Sequence, residues 1–275
     1  RIVPLPNPVF YIETRQNEDL QAVPYDITLD SDFQRFLGYA DLSQGKVDPA
    51  VAAGPNYHPD PELTGNPSEW GLMGPTDVSW NNQSLWVSDL NNNRVLRFST
   101  KIANLEETGT EIFTAKQVLG QVDFTHTLAN RVDGRSIVKP EDIALVSTGQ
   151  SAHLITADSG AHRVLVHTLA DRIENGTSAD TETLRGQTSL YDYEFYQDKE
   201  NYNGFRNPMS IDIDPISNRV ALSDYSNNRI LIYESYNSGT TPVAVIGRTE
   251  GDEGIARPAF RDVAIHGNFV FTAAG

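Results

Sequence analysis

A motif that recurs three times at nearly constant spacing constrains the fold of this chain more than any other feature. Each copy starts with Asp and ends five residues later with Arg, followed by a short apolar strand. The arginines of successive copies are 69 and 66 residues apart. Such a period indicates a repeat architecture in which every unit is one supersecondary structure. The motif residues, for which we predict a structural role, are Asp89 with Arg94, Asp158 with Arg163, and Asp224 with Arg229.

Other features keep the same spacing within each unit. A short apolar segment precedes each Asp, a Pro-led segment lies before that, and an apolar run ending in Gly follows the Arg. Alternating segments bounded by Gly, Pro, Asn and Asp are typical of strands joined by turns. We therefore predict four short antiparallel strands per unit and an all-β fold. The leading prolines are Pro75, Pro140 and Pro208, and the closing glycines are Gly120, Gly186 and Gly247.

The sequence around these landmarks resembles the NHL repeat in its long bacterial form of about 67 residues. The resemblance rests on the order Pro-x-Asp-Val, then Val-x-Asp-x-x-Asn-Asn-Arg-Val-Leu, and on the segment that runs from Gly120 to Phe124. It implies a β-propeller of four-stranded antiparallel blades across nearly the whole of residues 1–275, as a single domain. It implies no activity, because one fold hosts many functions.

A fourth unit is split between the two ends of the chain. Residues 258–263 and 268–272 supply its first two strands, and residues 1–3 and 34–38 match the third and fourth. We predict four blades, the last closed by both termini, which would remove exposed sheet edges. The alternative is a portion of a longer propeller. Ala273 is aligned with the motif Asp, and residues 7–32 are left as an insertion that could form an extra hairpin.

Composition restricts the classes of partner. The formal charge is −16, which disfavours nucleic acid, and no apolar run is long enough for a membrane helix, so we expect no membrane insertion. The chain has no Cys, which excludes disulfides and Cys-ligated zinc. Sequons at Asn82 and Asn175 suit a secreted protein. We predict an extracellular or periplasmic location.

Two long connections between units are expected on the same face as the Asp/Arg turns. They span residues 121–139 and 187–207, longer than ordinary connections in compact domains. The second is rich in aromatic residues, which suit contacts with a protein or a glycan. The alternative is that the rings pack the loop onto its own blades. The candidate binding residues are Tyr191, Tyr193, Phe195, Tyr196, Tyr202 and Phe205.

A second candidate site lies on the predicted inner strands, where one polar residue directly precedes a Val or Ile in all four units. These residues are Asp77, Asp142, Ser210 and Asp262. If inner strands converge on an axis, three carboxylates and a hydroxyl could bind a hard cation such as Ca²⁺. Without a cation, neighbouring carboxylates would raise one another's pKa. The alternative is that each side chain bonds the backbone of its own strand or of the next loop.

Two functions follow from these candidates. The first is a non-enzymatic propeller that recognises a protein or glycan through the long-loop face, or associates with other copies of itself. The second is a metal-dependent hydrolase or lyase with its site at the axial mouth. The six histidines supply no matching set of three zinc ligands, and the chain has no Gly-x-Ser-x-Gly elbow or phosphate-binding loop.

Overall fold

A computed structural model of the protein describes residues 56, 65–81, 84–99, 114–129, 132–148, 151–169, 181–187, 189–193, 202, 204–247 and 259–274. Fourteen strands and three one-turn 3₁₀ helices make up the regular structure of these residues. No helix among them is long and apolar enough to cross a membrane. The all-β prediction is confirmed.

Three complete four-stranded antiparallel sheets follow one another along the chain, each in sequential strand order. Blade 1 comprises β1 (Pro75–Asn81), β2 (Ser84–Asp89), β3 (Arg94–Ser99) and β4 (Ala115–Leu119). Blade 2 comprises β5 (Pro140–Thr148), β6 (Ser151–Asp158), β7 (Arg163–Leu169) and β8 (Thr181–Arg185). Blade 3 comprises β9 (Pro208–Ile213), β10 (Val220–Asp224), β11 (Arg229–Tyr233) and β12 (Ala244–Gly247). The described part of blade 4 is the hairpin of β13 (Phe260–His266) and β14 (Phe269–Ala274).

The first strands of successive sheets pack side by side, β1 against β5, β5 against β9 and β9 against β13. The sheets are thus arranged around an axis lined by their first strands, which is the architecture of a β-propeller. In a four-bladed closed ring β13 would pack on β1 in the same way, and among the described first strands the extensive packing is that of the three pairs just named. Residues 1–3 and 34–38, on which the predicted closure by both termini depends, lie outside the described residues, as do residues 7–32.

Each Asp/Arg motif forms the turn between the second and third strands of its blade. The 3₁₀ helices are Leu90–Asn92, Ser159–Ala161 and Tyr225–Asn227. Each ends at a left-handed residue: Asn93, His162 or Asn228, with φ of 53°, 55° and 53°. Asn adopts this conformation at little cost, which explains its place in two of the three turns.

The core consists of apolar layers between adjacent blades. One layer joins Trp86 and Val95 of blade 1 to Ile143 of blade 2, and another joins Ile155 of blade 2 to Ile211 of blade 3. A third joins blades 3 and 4 through Ala221, Ile230, Val263 and Ile265. Each blade therefore has a leading face, which meets the preceding blade, and a trailing face, which meets the next.

Strand pairing corrects the register assigned to the fourth unit. Pro75, Pro140 and Pro208 pair with the motif Asp of their blades, and the corresponding partners in blade 4 are Phe260 and Ala274. Ala274 rather than Ala273 therefore stands where the other blades have Asp. The segment 258–263 assigned to the first strand begins with Pro258, which lies two residues further from the inner Asp than the other leading prolines do.

Candidate functional site

The face of the long connections is anchored by a buried ion pair in each complete blade. The Arg Nε lies 2.7 Å from Asp89 in blade 1, 2.6 Å from Asp158 in blade 2 and 2.7 Å from Asp224 in blade 3. The second carboxylate oxygen of each Asp accepts a backbone N–H from the segment before the first strand, at Met73, Val138 and Arg206. The Arg therefore pairs with the Asp of its own motif.

In blades 1 and 2 the guanidinium also holds the connections on both sides of its blade. Arg163 donates to the carbonyls of Asp133 and Ser136 before blade 2 and to that of Leu190 after it, at 2.7–3.1 Å. Arg94 donates in the same way to Ser68, Gly71 and Phe124. The Asp/Arg turns and the long connections therefore lie together on one face, as the strand directions predicted.

Burial raises the pKa of these carboxyl groups, and the charge of the neighbouring Arg lowers it. Desolvation raises the pKa of Asp158 to about 6, because it outweighs the lowering by the Arg163 charge. At neutral pH the pair is therefore ionised. A buried charge is stable only when it is paired and hydrogen-bonded, and Arg163 meets that requirement with one hydrogen bond to Asp158 and three to backbone carbonyls.

The second long connection presents two tyrosines to solvent directly beyond the carbonyl that Arg163 holds. Tyr191 is 73% exposed and Tyr193 is 64% exposed. Between them, Asp192 accepts the N–H of Ser189 at 3.0 Å, which closes a turn at the base of the segment. In the first connection the positions after the clamped Phe124 hold Thr125 and Thr127. The exposed aromatic pair is thus specific to one of two loops built on the same anchor.

The remaining predicted binding residues do not join this pair. Phe205 is 1% exposed and packs into the layer between blades 2 and 3, so it cannot contact a partner in this conformation. Tyr202 packs against the same layer, and the Arg229 guanidinium lies 5.3 Å from its ring centroid. Burial therefore fits the packing alternative for Phe205, whereas half-buried Tyr202 stays a predicted binding residue. Phe195 and Tyr196 lie outside the described residues.

The axial candidates form hydrogen bonds that run from each blade to the next. Asp77 accepts the N–H of Ile143 at 3.1 Å, and Asp142 accepts that of Ile211 at 2.8 Å. Ser210 accepts the N–H of Val263 at 3.2 Å and donates to Asp262 at 2.9 Å. These four residues thus hold adjacent first strands in register, which is close to the backbone-bonding alternative considered from the sequence.

Asp142 is the most perturbed acid along the axis. Burial is the main cause, and the hydrogen bond and charge of Asp77 add to it, raising the pKa of Asp142 to about 8. At neutral pH Asp142 therefore retains its proton. Among the described residues no group of three or more His, Asp or Glu side chains is placed to hold a metal ion. The Ca²⁺ site at Asp77, Asp142, Ser210 and Asp262 stays a prediction.

The sequence did not predict that two turn residues on this face would bind the backbone of the next connection. Nδ1 of His162 accepts the N–H of Asn207 at 3.2 Å, as the Asn93 side chain accepts the N–H of Lys139 at 3.0 Å. Burial and the nearby Arg206 charge lower the pKa of His162, which keeps the accepting nitrogen unprotonated. Their equivalent positions could have indicated a shared role, because His162 and Asn93 both directly precede the motif Arg.

Arg185 is a third residue that the sequence did not assign. It extends from the outer strand of blade 2 to the carbonyls of Tyr236, Ser238 and Gly239 in blade 3, and its guanidinium lies 4.5 Å from the Tyr233 ring centroid. The sequence feature that could have indicated this role is a charged residue at the end of an apolar strand, at the position that Leu119 occupies in blade 1. Its contacts link two blades.

No protein-family model matches this chain, and no curated protein matches its sequence. Among solved structures, the glutaminyl cyclase of Myxococcus xanthus is 9% identical, with a TM-score of 0.36 over 72% of this chain and 66% of the other. A putative 6-phosphogluconolactonase of Bacteroides uniformis is 14% identical, with a TM-score of 0.32 over 70% and 61%. The PQQ-bound aldose sugar dehydrogenase of Streptomyces coelicolor is 14% identical, with a TM-score of 0.31 over 76% of each chain.

This chain spans slightly less than two thirds of the first two of these proteins, 66% and 61% of their lengths. Likeness at such low identity and TM-score transfers neither an activity nor a site residue. The function must therefore be argued from the chain's own surfaces.

Proposed function

We propose that this chain is an NHL-type propeller that acts as a non-enzymatic recognition or assembly module. Its ligand is a protein or a glycan, bound on the face of the long connections, in an extracellular or periplasmic setting. The observation that carries the proposal is the exposed pair Tyr191 and Tyr193 on a loop anchored by the buried Arg163. Tyr supplies a large contact area with few rotatable bonds, and it is enriched at recognition surfaces.

The anchor supports the proposal because it reduces the entropy lost on binding. The Arg163 guanidinium holds the carbonyl of Leu190 at 2.7 Å, one residue before the exposed pair. A loop fixed in place before binding loses less conformational freedom when a ligand arrives. The same argument explains why a surface suited to recognition is built directly on a rigid structural element.

The test compares three forms of the protein on a glycan array and on a phage-displayed peptide library. These are the wild type, the Tyr191→Ala/Tyr193→Ala variant and the Ile216→Ala control. Ile216 is also 73% exposed and lies in the turn between β9 and β10, on the opposite face. We expect wild type and control to select the same ligands and the tyrosine variant to lose them. Unchanged selection by the tyrosine variant, or no ligand for wild type in either library, would contradict the proposal.

One observation favours the alternative, a metal-dependent hydrolase or lyase at the axial mouth. A strongly raised pKa such as that of Asp142 is more frequent at functional sites than elsewhere. Calorimetric titration with Ca²⁺ and thermal unfolding with and without a chelator test this alternative. Heat of binding together with a chelator-sensitive melting temperature would support it. No heat and an unchanged melting temperature would exclude it.

A further inference from the structure

One buried arginine differs from the others in having no carboxylate partner. Among the described residues four arginines are buried, and three of them are the motif arginines, each paired with its own Asp at 2.6–2.7 Å. The fourth is Arg185, which is 5% exposed, and no Asp or Glu of the described residues acts on its charge. Because an arginine keeps its proton inside a protein, a positive charge lies between blades 2 and 3 without a counter-charge among these residues.

Backbone carbonyls satisfy only part of this guanidinium. Nη1 and Nη2 of Arg185 donate to the carbonyls of Tyr236, Ser238 and Gly239 at 2.5–2.9 Å. Nε has no acceptor among the described residues. Carbonyl dipoles solvate a cation but do not neutralise it, and a buried charge is costly unless an opposite charge accompanies it. The arrangement therefore leaves a net positive charge in the interface.

The hydroxyl of Tyr233 is a second buried donor without a partner. Tyr233 is 2% exposed, and its O–H forms no hydrogen bond with any described residue. Burial raises the pKa of Tyr233, so the phenol stays neutral and cannot supply the missing negative charge. The Arg185 guanidinium lies 4.5 Å from the centroid of its ring. An unpaired cation and an unpaired O–H donor thus occur side by side.

Arg185 and Tyr233 both line a cavity between blades 2 and 3. The volume of this cavity is about 10 Å³, which is room for one species about the size of a water molecule. Apart from Tyr236, the rest of the wall is aliphatic and consists of Ile155, Val164, Val166, Ile211, Val220 and Leu222. A ligand here must therefore be small, and the groups that can bind it are donors beside a positive charge.

The repeat architecture does not require this combination. By strand pairing, the residues equivalent to Arg185 and Tyr233 at the interface of blades 1 and 2 are Leu119 and His167. Two blades can thus pack together without a cation at the position of Arg185. The unpaired cation beside an unpaired phenol is therefore specific to the interface of blades 2 and 3.

We propose that the cavity between blades 2 and 3 binds a monatomic monovalent anion such as chloride, held by the Arg185 guanidinium and the Tyr233 hydroxyl. The anion accepts the O–H of Tyr233 and neutralises the guanidinium, which stabilises the contact between the two blades. A water molecule would satisfy the O–H but would leave the charge uncompensated. Phosphate and sulfate are too large for this cavity, and an aliphatic wall favours a weakly hydrated ion.

The first test is thermal unfolding in mixtures of sodium chloride and sodium gluconate, because gluconate is too large to enter. The ionic strength is kept at about 0.5 M so that screening of surface charges does not change. We expect the melting temperature to rise by about 2–5 °C for each tenfold increase in chloride once the site fills. Sodium bromide should act in the same way. A melting temperature that is independent of the chloride fraction would assign the cavity to water and overturn the proposal.

Three variants locate the effect. Tyr233→Phe removes only the O–H, so the chloride concentration that gives half of the stabilisation should rise about tenfold or more. Arg185→Leu introduces the residue found in blade 1 and should abolish the chloride dependence. Tyr225→Phe makes the same change at a half-buried tyrosine outside the cavity and should keep the wild-type dependence. Chloride dependence that persists unchanged in Tyr233→Phe would place the anion elsewhere and overturn the proposal.

Bromide gives a direct view of the site, because its anomalous scattering identifies the ion in a crystal. We expect crystals grown in sodium bromide to show an anomalous peak in contact with the Tyr233 hydroxyl and the Arg185 guanidinium. The peak should be absent from Tyr233→Phe crystals or much weaker in them. Bromide peaks confined to the protein surface would show adventitious ions only and would overturn the proposal.

Discussion

Carboxylates stabilise this propeller in two regions that differ in what surrounds them. In the loop clamps, each motif Asp is paired with a buried Arg, as Asp158 is with Arg163 at 2.6 Å. Along the axis, Asp77 and Asp142 face each other, and the pKa of Asp142 rises to about 8. The Asp158 clamp therefore stays ionised at neutral pH, whereas Asp142 retains its proton. One residue type thus anchors loops as an anion in one region and holds a proton at neutral pH in the other.

The largest effect is expected from breaking a clamp. Arg163→Ala leaves the fully buried Asp158 without its cation and leaves three carbonyls without donors. We expect the free energy of unfolding to fall by about 3–5 kcal/mol, the usual cost of removing one partner of a buried pair. Chemical denaturation measures it. Arg219→Ala is the control, because its contact to Glu234 is 3.4 Å long and exposed, and should cost less than about 1 kcal/mol. Equal losses of unfolding free energy in the two variants would mean that the buried ion pair stabilises the fold no more than the exposed contact does.

A smaller effect of opposite sign is expected at the axis. Asp142 holds its proton in the folded state to about pH 8 and loses it near pH 3.8 when unfolded, so it lowers stability as pH rises between these values. Asp142→Asn should flatten that slope and raise the free energy of unfolding at pH 8 by about 1 kcal/mol or more.

Urea unfolding at several pH values from 5 to about 9 checks this prediction. Asp212→Asn is the matched control, because Asp212 also accepts an N–H across blades, that of Ile265 at 2.7 Å. The control should keep the slope of the wild type. A steep slope that persists in Asp142→Asn would assign the pH dependence to other groups.

A still smaller effect is expected at the left-handed turn residue of blade 2. Burial lowers the pKa of His162, so the unfolded chain takes up the proton first and stability falls as pH drops below about 6.5. His162→Asn introduces the residue found at Asn93, which accepts the equivalent N–H without titrating. Unfolding free energies should agree at pH 8 and favour the variant at pH 5. A variant that loses stability to the same extent would disprove the role of the imidazole.

The smallest effect on stability is expected at the proposed recognition surface. Tyr193 is 64% exposed, so Tyr193→Ala should change the free energy of unfolding by less than about 0.5 kcal/mol. In contrast, Phe205→Ala removes a ring that is 1% exposed and should cost about 3–5 kcal/mol. Thermal unfolding of both variants tests whether the buried ring of this loop stabilises the fold while the exposed ring does not. A large loss in Tyr193→Ala would place that ring in the core.

Sequence reasoning predicted the strands well because turn chemistry and alternation are local. Asp89 and Arg94 lie five residues apart, so their pairing across a tight turn can be inferred from the chain alone. The register of the last hairpin was off by one residue, since Ala274 and not Ala273 holds the Asp position. A one-residue slip is hard to detect where neither the Pro nor the Asp of the motif is present.

The chain itself determined the all-β repeat and the four-stranded unit, because short-range periodicity and turn residues encode both. Tertiary structure alone decided that Phe205 is buried while Tyr193 is exposed, although both belong to one aromatic loop. It also decided that Val78 is exposed while its equivalents Ile143 and Val263 are buried. The physical reason is that burial depends on which neighbouring blade covers a residue, and a residue's own type and spacing do not carry that information.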